Sequence, residues 1–122
     1  MPTFARVFTG PDGKSHVEEI SPPFQPFVDV EGAWGQGTPL QPAAGITFRR
    51  SPPGYVLERH NAPRRQYTIT LAGQVEIEAS DGTTRRFGPG SVLLAEDLTG
   101  EGHTTRVVGS EERVYVVVPL AE

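Results

Sequence analysis

The sequence contains no cysteine, a single lysine and no apolar run long enough to cross a membrane. Without cysteine the chain has no disulfide framework, no thiolate nucleophile and no cysteine-ligated zinc site, so any metal ligand must be a histidine, a carboxylate or an amide. The apolar runs fall well short of the ~18 residues that a membrane-spanning helix needs, and the first residues lack the apolar core of a signal peptide. We therefore expect a soluble, cytoplasmic protein without a membrane partner.

Basic residues are also scarce. The 11 lysines and arginines are outnumbered by 15 aspartates and glutamates, which gives a formal net charge of −4. An acidic chain is a poor binder of nucleic acid, so we expect no nucleic-acid partner. Lys14 is the one lysine, and we attribute this arginine bias to genome composition rather than to chemistry.

Helical periodicity is absent as well. Fourteen glycines and twelve prolines separate short alternating or apolar segments, a pattern that is typical of a β-sandwich or barrel. A length of 122 residues suits one domain, so we predict a single domain over residues 1–122. The predicted strands are 4–8, 16–20, 46–50, 55–60, 66–71, 75–79, 84–87, 91–95, 103–108 and 114–118.

One long segment lacks a strand pattern. Residues 21–44 are rich in proline, glycine and glutamine, and a loop of this length is uncommon in a compact domain. We predict an arm that wraps the fold or covers a pocket, with the aromatic side chains of Phe24, Phe27 and Trp34 packed against the rest of the chain. Residues 1–45 are accordingly predicted to form N-terminal strands and a covering arm, and residues 46–119 the barrel.

The predicted strand 66–71 has a polar and an apolar face. Alternation places Gln66, Thr68 and Thr70 on one face and the apolar side chains between them on the other. Two interpretations are open: the polar face is turned to solvent, or it lines a wet cavity between two sheets.

Residues 55–118 resemble the cupin superfamily. The first cupin motif has two histidines one residue apart, then an acidic residue and a glycine that opens a hairpin. Here His60 takes the first histidine position, Gln66 the acidic position and Gly73 the glycine position, while Ala62 stands where the second histidine would be.

The second cupin motif runs from a glycine through an apolar strand and a Pro-x-Gly turn to a histidine. Gly90, the strand 91–95, Gly100 and His103 fill these positions, and Leu98 replaces the proline. The resemblance covers about half of the chain and favours the second interpretation of the strand 66–71, a polar face that lines a cavity.

This resemblance implies an all-β, cupin-type double-stranded β-helix, or jelly-roll barrel, with an N-terminal arm. It also implies that His60, Gln66 and His103 converge inside the barrel as catalytic residues. They would hold a divalent iron, manganese, nickel or zinc ion, or the two histidines would act without metal as an acid and a base. A glutamine in the acidic position and an alanine in a histidine position both weaken such a metal site.

Several other side chains are candidates for substrate binding. One arginine from each of the pairs Arg49–Arg50 and Arg64–Arg65, for which we name Arg49 and Arg64, could bind a carboxylate. The alternative is that these pairs are solvated or form ion pairs with Glu58, Glu76 or Glu78. Further pocket candidates are Thr68, Thr70, Tyr55 and Trp34.

The polar connection before His103 contains two acidic residues, Glu96 and Asp97. Either could supply the missing carboxylate as a ligand or a general base, although solvation in a loop is the simpler expectation.

The leading hypothesis is a small enzyme that acts on a small organic molecule by oxygenase, isomerase, lyase or cyclase chemistry. The alternative is a non-catalytic barrel that binds or senses a small molecule and has lost its metal, and a third is a structural module without a ligand. Because cupins commonly dimerise through sheet edges and N-terminal arms, we also expect a homodimer.

Overall fold

The computed structural model describes residues 2–122, and within this range every regular element is a strand. All ten predicted strands are present, with ends that differ from the prediction by at most one residue. The twelve strands are β1 (Phe4–Thr9), β2 (Ser15–Glu19), β3 (Gln25–Val28), β4 (Trp34–Gly37), β5 (Thr47–Ser51), β6 (Val56–His60), β7 (Gln66–Ala72), β8 (Gln74–Ala79), β9 (Thr84–Phe87), β10 (Val92–Ala95), β11 (His103–Val108) and β12 (Arg113–Pro119).

Ten of these strands form two sheets that share one core. The larger sheet has the order β2-β1-β10-β7-β12-β5, and the smaller has the order β6-β11-β8-β9. Neighbours in both sheets are antiparallel, except that β1 and β10 run parallel. From β5 to β12, consecutive strands alternate between the two sheets apart from the β8–β9 hairpin, as in a jelly roll. The all-β, double-stranded β-helix prediction is therefore confirmed.

The apolar core lies at one side of the space between the sheets. Small and branched side chains of β1 and β10 meet those of β8 and β9 there. The buried cluster consists of Ala5, Val7, Ala62, Val75, Ile77, Phe87, Leu93 and Ala95. At the opposite side, β5 and β6 form the outer edges of the two sheets and most of their residues are exposed. The core does not extend to this side, so a cavity remains between the sheets.

The N-terminal arm contains a feature that the sequence did not predict. Strands β3 and β4 pair with each other in a separate two-stranded hairpin. Trp34 at its end is 81% exposed, and Phe27 contacts the hairpin's own glycines, so the expectation that both pack against the rest of the chain is wrong. Phe24, by contrast, makes an edge-to-face contact with Phe4 of β1.

The remainder of the arm covers the outer face of the larger sheet. Gln41 accepts a hydrogen bond of 2.6 Å from the hydroxyl of Tyr67, and Ala43 forms an isolated β-bridge with Leu120. A cavity of about 520 Å³ lies between the arm and this outer face. The arm thus covers the face of β7 that points away from the space between the sheets.

No helix within residues 2–122 has the length and apolar character to cross a membrane.

Candidate functional site

A cavity of about 140 Å³ lies between the two sheets beside the core. Gln66 and Thr68 line it, so the polar face of β7 is turned toward the interior rather than toward solvent. Its lining residues are Arg49, Leu57, His60, Ala62, Pro63, Gln66, Thr68, Ile77, Leu93, Ala95, His103, Thr105, Arg113, Tyr115 and Val117.

Two histidines meet in this cavity. His60 at the end of β6 and His103 at the start of β11 are directly opposite each other in the antiparallel pair, and their ring centroids are 4.5 Å apart. Gly102 allows this approach: its φ is +77°, and a Cβ there would collide with the backbone carbonyl of His60. A glycine before His103 is therefore required both by the backbone conformation and by the contact between the strands.

Each imidazole is fixed through its Nδ1 atom. Nδ1 of His60 lies 2.8 Å from the carbonyl oxygen of Glu58, and Nδ1 of His103 lies 2.5 Å from a carboxylate oxygen of Asp97. A carbonyl and an ionised carboxylate only accept hydrogen bonds, so Nδ1 is the donor in both rings. Within residues 2–122, Nε2 of each ring has no hydrogen-bond partner, which leaves it available for proton transfer.

Asp97 differs from the expectation of a solvated loop residue. Its side chain is fully buried, and one of its carboxylate oxygens has no hydrogen-bond partner within the described chain. The backbone carbonyl of Asp97 accepts hydrogen bonds from Ala62 and Asn61, which fix the loop against the end of β6. The prediction of loop solvation is thus wrong for Asp97, whose carboxylate orients the ring of His103.

Glu96 has a different role. It is partly buried and forms ion pairs with Arg65 at 2.6 Å and with Arg6 at 3.5 Å on the outer side of the sheet. These contacts turn its carboxylate away from the two histidines, so Asp97 is the acidic residue of this connection that belongs to the site.

His60 is partly shielded from water. Burial is the main cause that lowers its pKa below the ordinary value of 6.5; the bond to Glu58 opposes this, the nearby ring of His103 adds a smaller lowering effect, and Asp97 a smaller raising one. The ring of His60 is therefore neutral at neutral pH, with an unprotonated Nε2.

Gln66 is the third member of the predicted site. It is buried, and its side-chain oxygen accepts a hydrogen bond of 3.2 Å from Arg64. The amide therefore lies beside a guanidinium group, an unfavourable environment for a ligand of a divalent cation.

The donor set around the cavity falls short of a resident metal site. Two imidazole nitrogens are free, but Ala62 replaces a third histidine and the carboxylate of Asp97 already accepts from His103. No group of three or more histidine, aspartate or glutamate side chains within residues 2–122 is close enough to hold one ion. The residues present do not fit the three-to-four-donor site that such ions prefer, so no step is derived through a metal.

The four arginines named as candidates have different surroundings in the structure. Arg49 lines the cavity, Arg64 bonds to Gln66, Arg50 pairs with Glu112, and Arg65 pairs with Glu96 and Glu122. The alternative partners Glu58, Glu76 and Glu78 pair with none of the four within the described chain, so that part of the prediction is wrong.

Three of the other substrate candidates do not line the cavity. Tyr55 and Trp34 are exposed elsewhere, whereas Thr70 is buried and accepts hydrogen bonds from Arg113. Thr68 is the candidate of this group that lines the cavity, and its buried hydroxyl has no partner within residues 2–122.

Arg113 is a cavity residue that the sequence did not single out. The sequence pattern that could have identified it is the alternation along β12, which places Arg113, Tyr115 and Val117 on the face that lines the cavity. Arg113 follows two glutamates in a turn, and this context favoured a solvated residue.

No protein family model and no curated protein matches this chain. Solved structures do. A cupin domain from Bordetella pertussis superposes with a TM-score of 0.50 at 18% identity, and the match covers 83% of this chain and 96% of the other. The chain has a cupin fold.

Two enzymes have the same fold. The polyketide cyclase RemF of Streptomyces resistomycificus matches with a TM-score of 0.55 at 19% identity over 81% of this chain and 64% of its own. A sugar phosphate isomerase of the cupin superfamily from Silicibacter pomeroyi matches with a TM-score of 0.54 at 16% identity over 97% and 71%. The chain thus spans less than two thirds of the length of the cyclase, and such identities show the fold alone.

Proposed function

We propose that this cupin is an enzyme that moves a proton on a small organic molecule, with His60 and His103 as its acid and base. The observation that carries the proposal is the pair of imidazoles in one cavity, each held at Nδ1 and each with a free Nε2. This is the arrangement that general acid–base catalysis needs.

The two rings differ in their surroundings, and this difference supports separate roles. His103 donates to the carboxylate of Asp97, which orients the ring and stabilises the imidazolium that forms when Nε2 takes a proton. His60 donates to a neutral carbonyl and lies partly buried, so its positive form is less favourable. We assign His103 as the base that takes the first proton.

The reaction class that fits is isomerisation or cyclisation through an enol. Nε2 of His103 takes a proton from the carbon next to a carbonyl group, and the electron pair of the broken C–H bond forms the enolate. The imidazolium of His103 passes this proton to the unprotonated Nε2 of His60, and His60 delivers it to the carbonyl oxygen or to a second carbon, which leaves both rings neutral, as they began. No oxidant or reductant is consumed. The structural neighbours include a polyketide cyclase and a sugar phosphate isomerase, which supports a cyclisation or an isomerisation as the reaction class.

The test is the exchange of carbon-bound hydrogen for deuterium. Small ketones and keto acids of three to six carbons are incubated with the protein in D2O, and loss of the proton signal next to the carbonyl is followed by NMR. We expect exchange above the buffer rate, and a fall of about 10²-fold or more in His103→Gln, since this is the usual contribution of a general base. His16→Gln, which changes a partly exposed histidine outside the cavity, serves as the matched control.

Two results would overturn the proposal. Ligand binding without exchange in any of these compounds would favour the non-catalytic binding or sensing barrel. Exchange that is lost on dialysis against EDTA and restored by iron, manganese, nickel or zinc would favour the metal-dependent form.

A further inference from the structure

Arg113 is a buried cation in the wall of the cavity. The residue is 5% exposed, and its Nε and Nη2 atoms donate hydrogen bonds of 3.2 and 3.1 Å to the hydroxyl oxygen of Thr70. The guanidinium carbon lies 4.0 Å from the ring centroid of Tyr115. Arg113 is therefore held firmly in place by a hydroxyl group and an aromatic face, both of which are uncharged.

No carboxylate within residues 2–122 forms an ion pair with Arg113. The arginines that do pair with carboxylates are at least one-third exposed, where water already stabilises their charge. Burial lowers the pKa of Arg113 to about 10, so the group is still positively charged at neutral pH. A buried charge without a counterion is costly for a folded protein, and such a group is normally paired.

The guanidinium has free donors for a ligand. Nη1 makes no hydrogen bond within the described chain, and Nη2 uses one of its two hydrogens for Thr70. The outer edge formed by Nη1 and Nη2 can therefore donate two parallel hydrogen bonds, the geometry that matches a carboxylate.

A second polar atom in the wall lacks a partner. Thr68 stands between Gln66 and Thr70 on the inward face of β7, and its buried hydroxyl has no hydrogen bond within residues 2–122. Gln66 lies at the end of β7 that pairs with Ala95, next to the connection between β10 and His103. Thr70, near the other end of β7, accepts the hydrogen bonds of Arg113. The cavity thus has imidazoles toward one end, a cation toward the other and an unsatisfied hydroxyl between them.

We propose that Arg113 binds the carboxylate group of a small carboxylic acid, which is the substrate of the site. Thr70 positions the guanidinium, and Thr68 bonds to a polar group in the middle of the molecule. The volume of about 140 Å³ is close to that of a cavity that admits one benzene-sized molecule, so the acid has about six non-hydrogen atoms inside the cavity. This inference rests on the proposed use of the cavity as the substrate site, but not on the reaction.

The test measures binding rather than turnover. Isothermal titration is carried out with a series of three- to six-carbon keto acids, their neutral amides and inorganic phosphate. We expect each acid to bind at least tenfold more tightly than its amide, and Arg113→Met to lose at least tenfold in affinity for the acids alone. Arg113→Lys keeps the charge without the two-pronged geometry and should recover part of the affinity. Arg50→Met, which removes an exposed arginine paired with Glu112, should bind as the wild type does.

Stability separates a binding role from a structural one. If Arg113 is held for a ligand, Arg113→Met removes an uncompensated buried charge and should unfold at the same temperature as the wild type or higher. If that variant does not fold, Arg113→Lys and Thr70→Val carry the binding test.

Three outcomes overturn the inference: equal affinity for acids and amides, unchanged affinity in Arg113→Met, or tight binding of phosphate without binding of the acids. Its failure is distinct from that of the proposed reaction. Catalysed exchange on neutral ketones without a preference for acids refutes the carboxylate site alone, while tight binding of acids without exchange refutes the reaction alone.

Discussion

Removing the carboxylate of Asp97 should destabilise the fold in a way that depends on the replacement. In Asp97→Ala the Nδ1–H of His103 loses its acceptor in a buried site. Losing a hydrogen bond to a charged acceptor costs about 1.5–3 kcal/mol. Unfolding entropies of about 2.1 cal/mol/K per residue give roughly 0.26 kcal/mol/K for this chain, so the melting temperature should fall by about 6–12 °C.

Asp97→Asn should be milder. The amide oxygen still accepts from His103, and the variant no longer buries a charge, so the cost should be about 1 kcal/mol, or roughly 4 °C. Thermal unfolding is measured by circular dichroism at pH 7, with Glu111→Ala as a control at an exposed acidic residue. Nitrogen chemical shifts of His103 report separately whether its Nδ1 keeps the proton.

Two results would contradict this reasoning. A melting temperature of Asp97→Ala within 2 °C of the wild type would show that the buried pair contributes nothing. Equal losses in the alanine and asparagine variants would show that the effect comes from the negative charge rather than from an acceptor for His103.

Two further predictions concern other parts of the molecule. His16 contacts Asp12 and Asp81, and the hydrogen bond to Asp12 above all raises its pKa above 6.5. The stabilisation is complete below pH 6.5 and is lost as the pH rises through the raised value, so urea unfolding should show a smaller advantage over His16→Gln at pH 9 than at pH 6. We also expect a homodimer that forms through the exposed apolar side chains of β5 and β6. Light scattering should report twice the chain mass for the wild type and a single chain mass for Phe48→Asp. A monomeric wild type would contradict this expectation.

The strands were predictable because their signals are local. Alternation and turn residues lie within a few positions of each other, as at Asp81–Gly82 between β8 and β9, where Gly82 has a φ of +94°. The β3–β4 hairpin was missed because Pro26 lies within one strand and two glycines within the other, and both residue types argue against a strand. This hairpin has no further strand beside it, so its proline and glycines disrupt no neighbouring ladder.

The histidines of the site were predicted from two sequence motifs, whereas the burial of Asp97 and the inward direction of Arg113 were not. Asp97 lies in a polar connection, and its burial depends on the closure of that loop over the end of β6, a contact between residues distant in sequence. Arg113 begins a strand after an acidic turn, and its inward direction depends on the register of β12 against β7. Local composition predicts a solvated residue in both cases.

These buried charges give a consistent account of the two departures from the cupin motif. Ala62 is part of the apolar core, so this position contributes packing rather than a metal ligand. Gln66 is neutral and accepts from Arg64, whereas a glutamate there would place a negative charge in the cavity and neutralise a nearby cation. In a cavity without a third histidine, the positive charge available to a ligand comes from the lining arginines Arg113 and Arg49, and a neutral residue at position 66 leaves the buried charge of Arg113 uncompensated. The same substitutions that weaken a metal site therefore favour an anionic ligand.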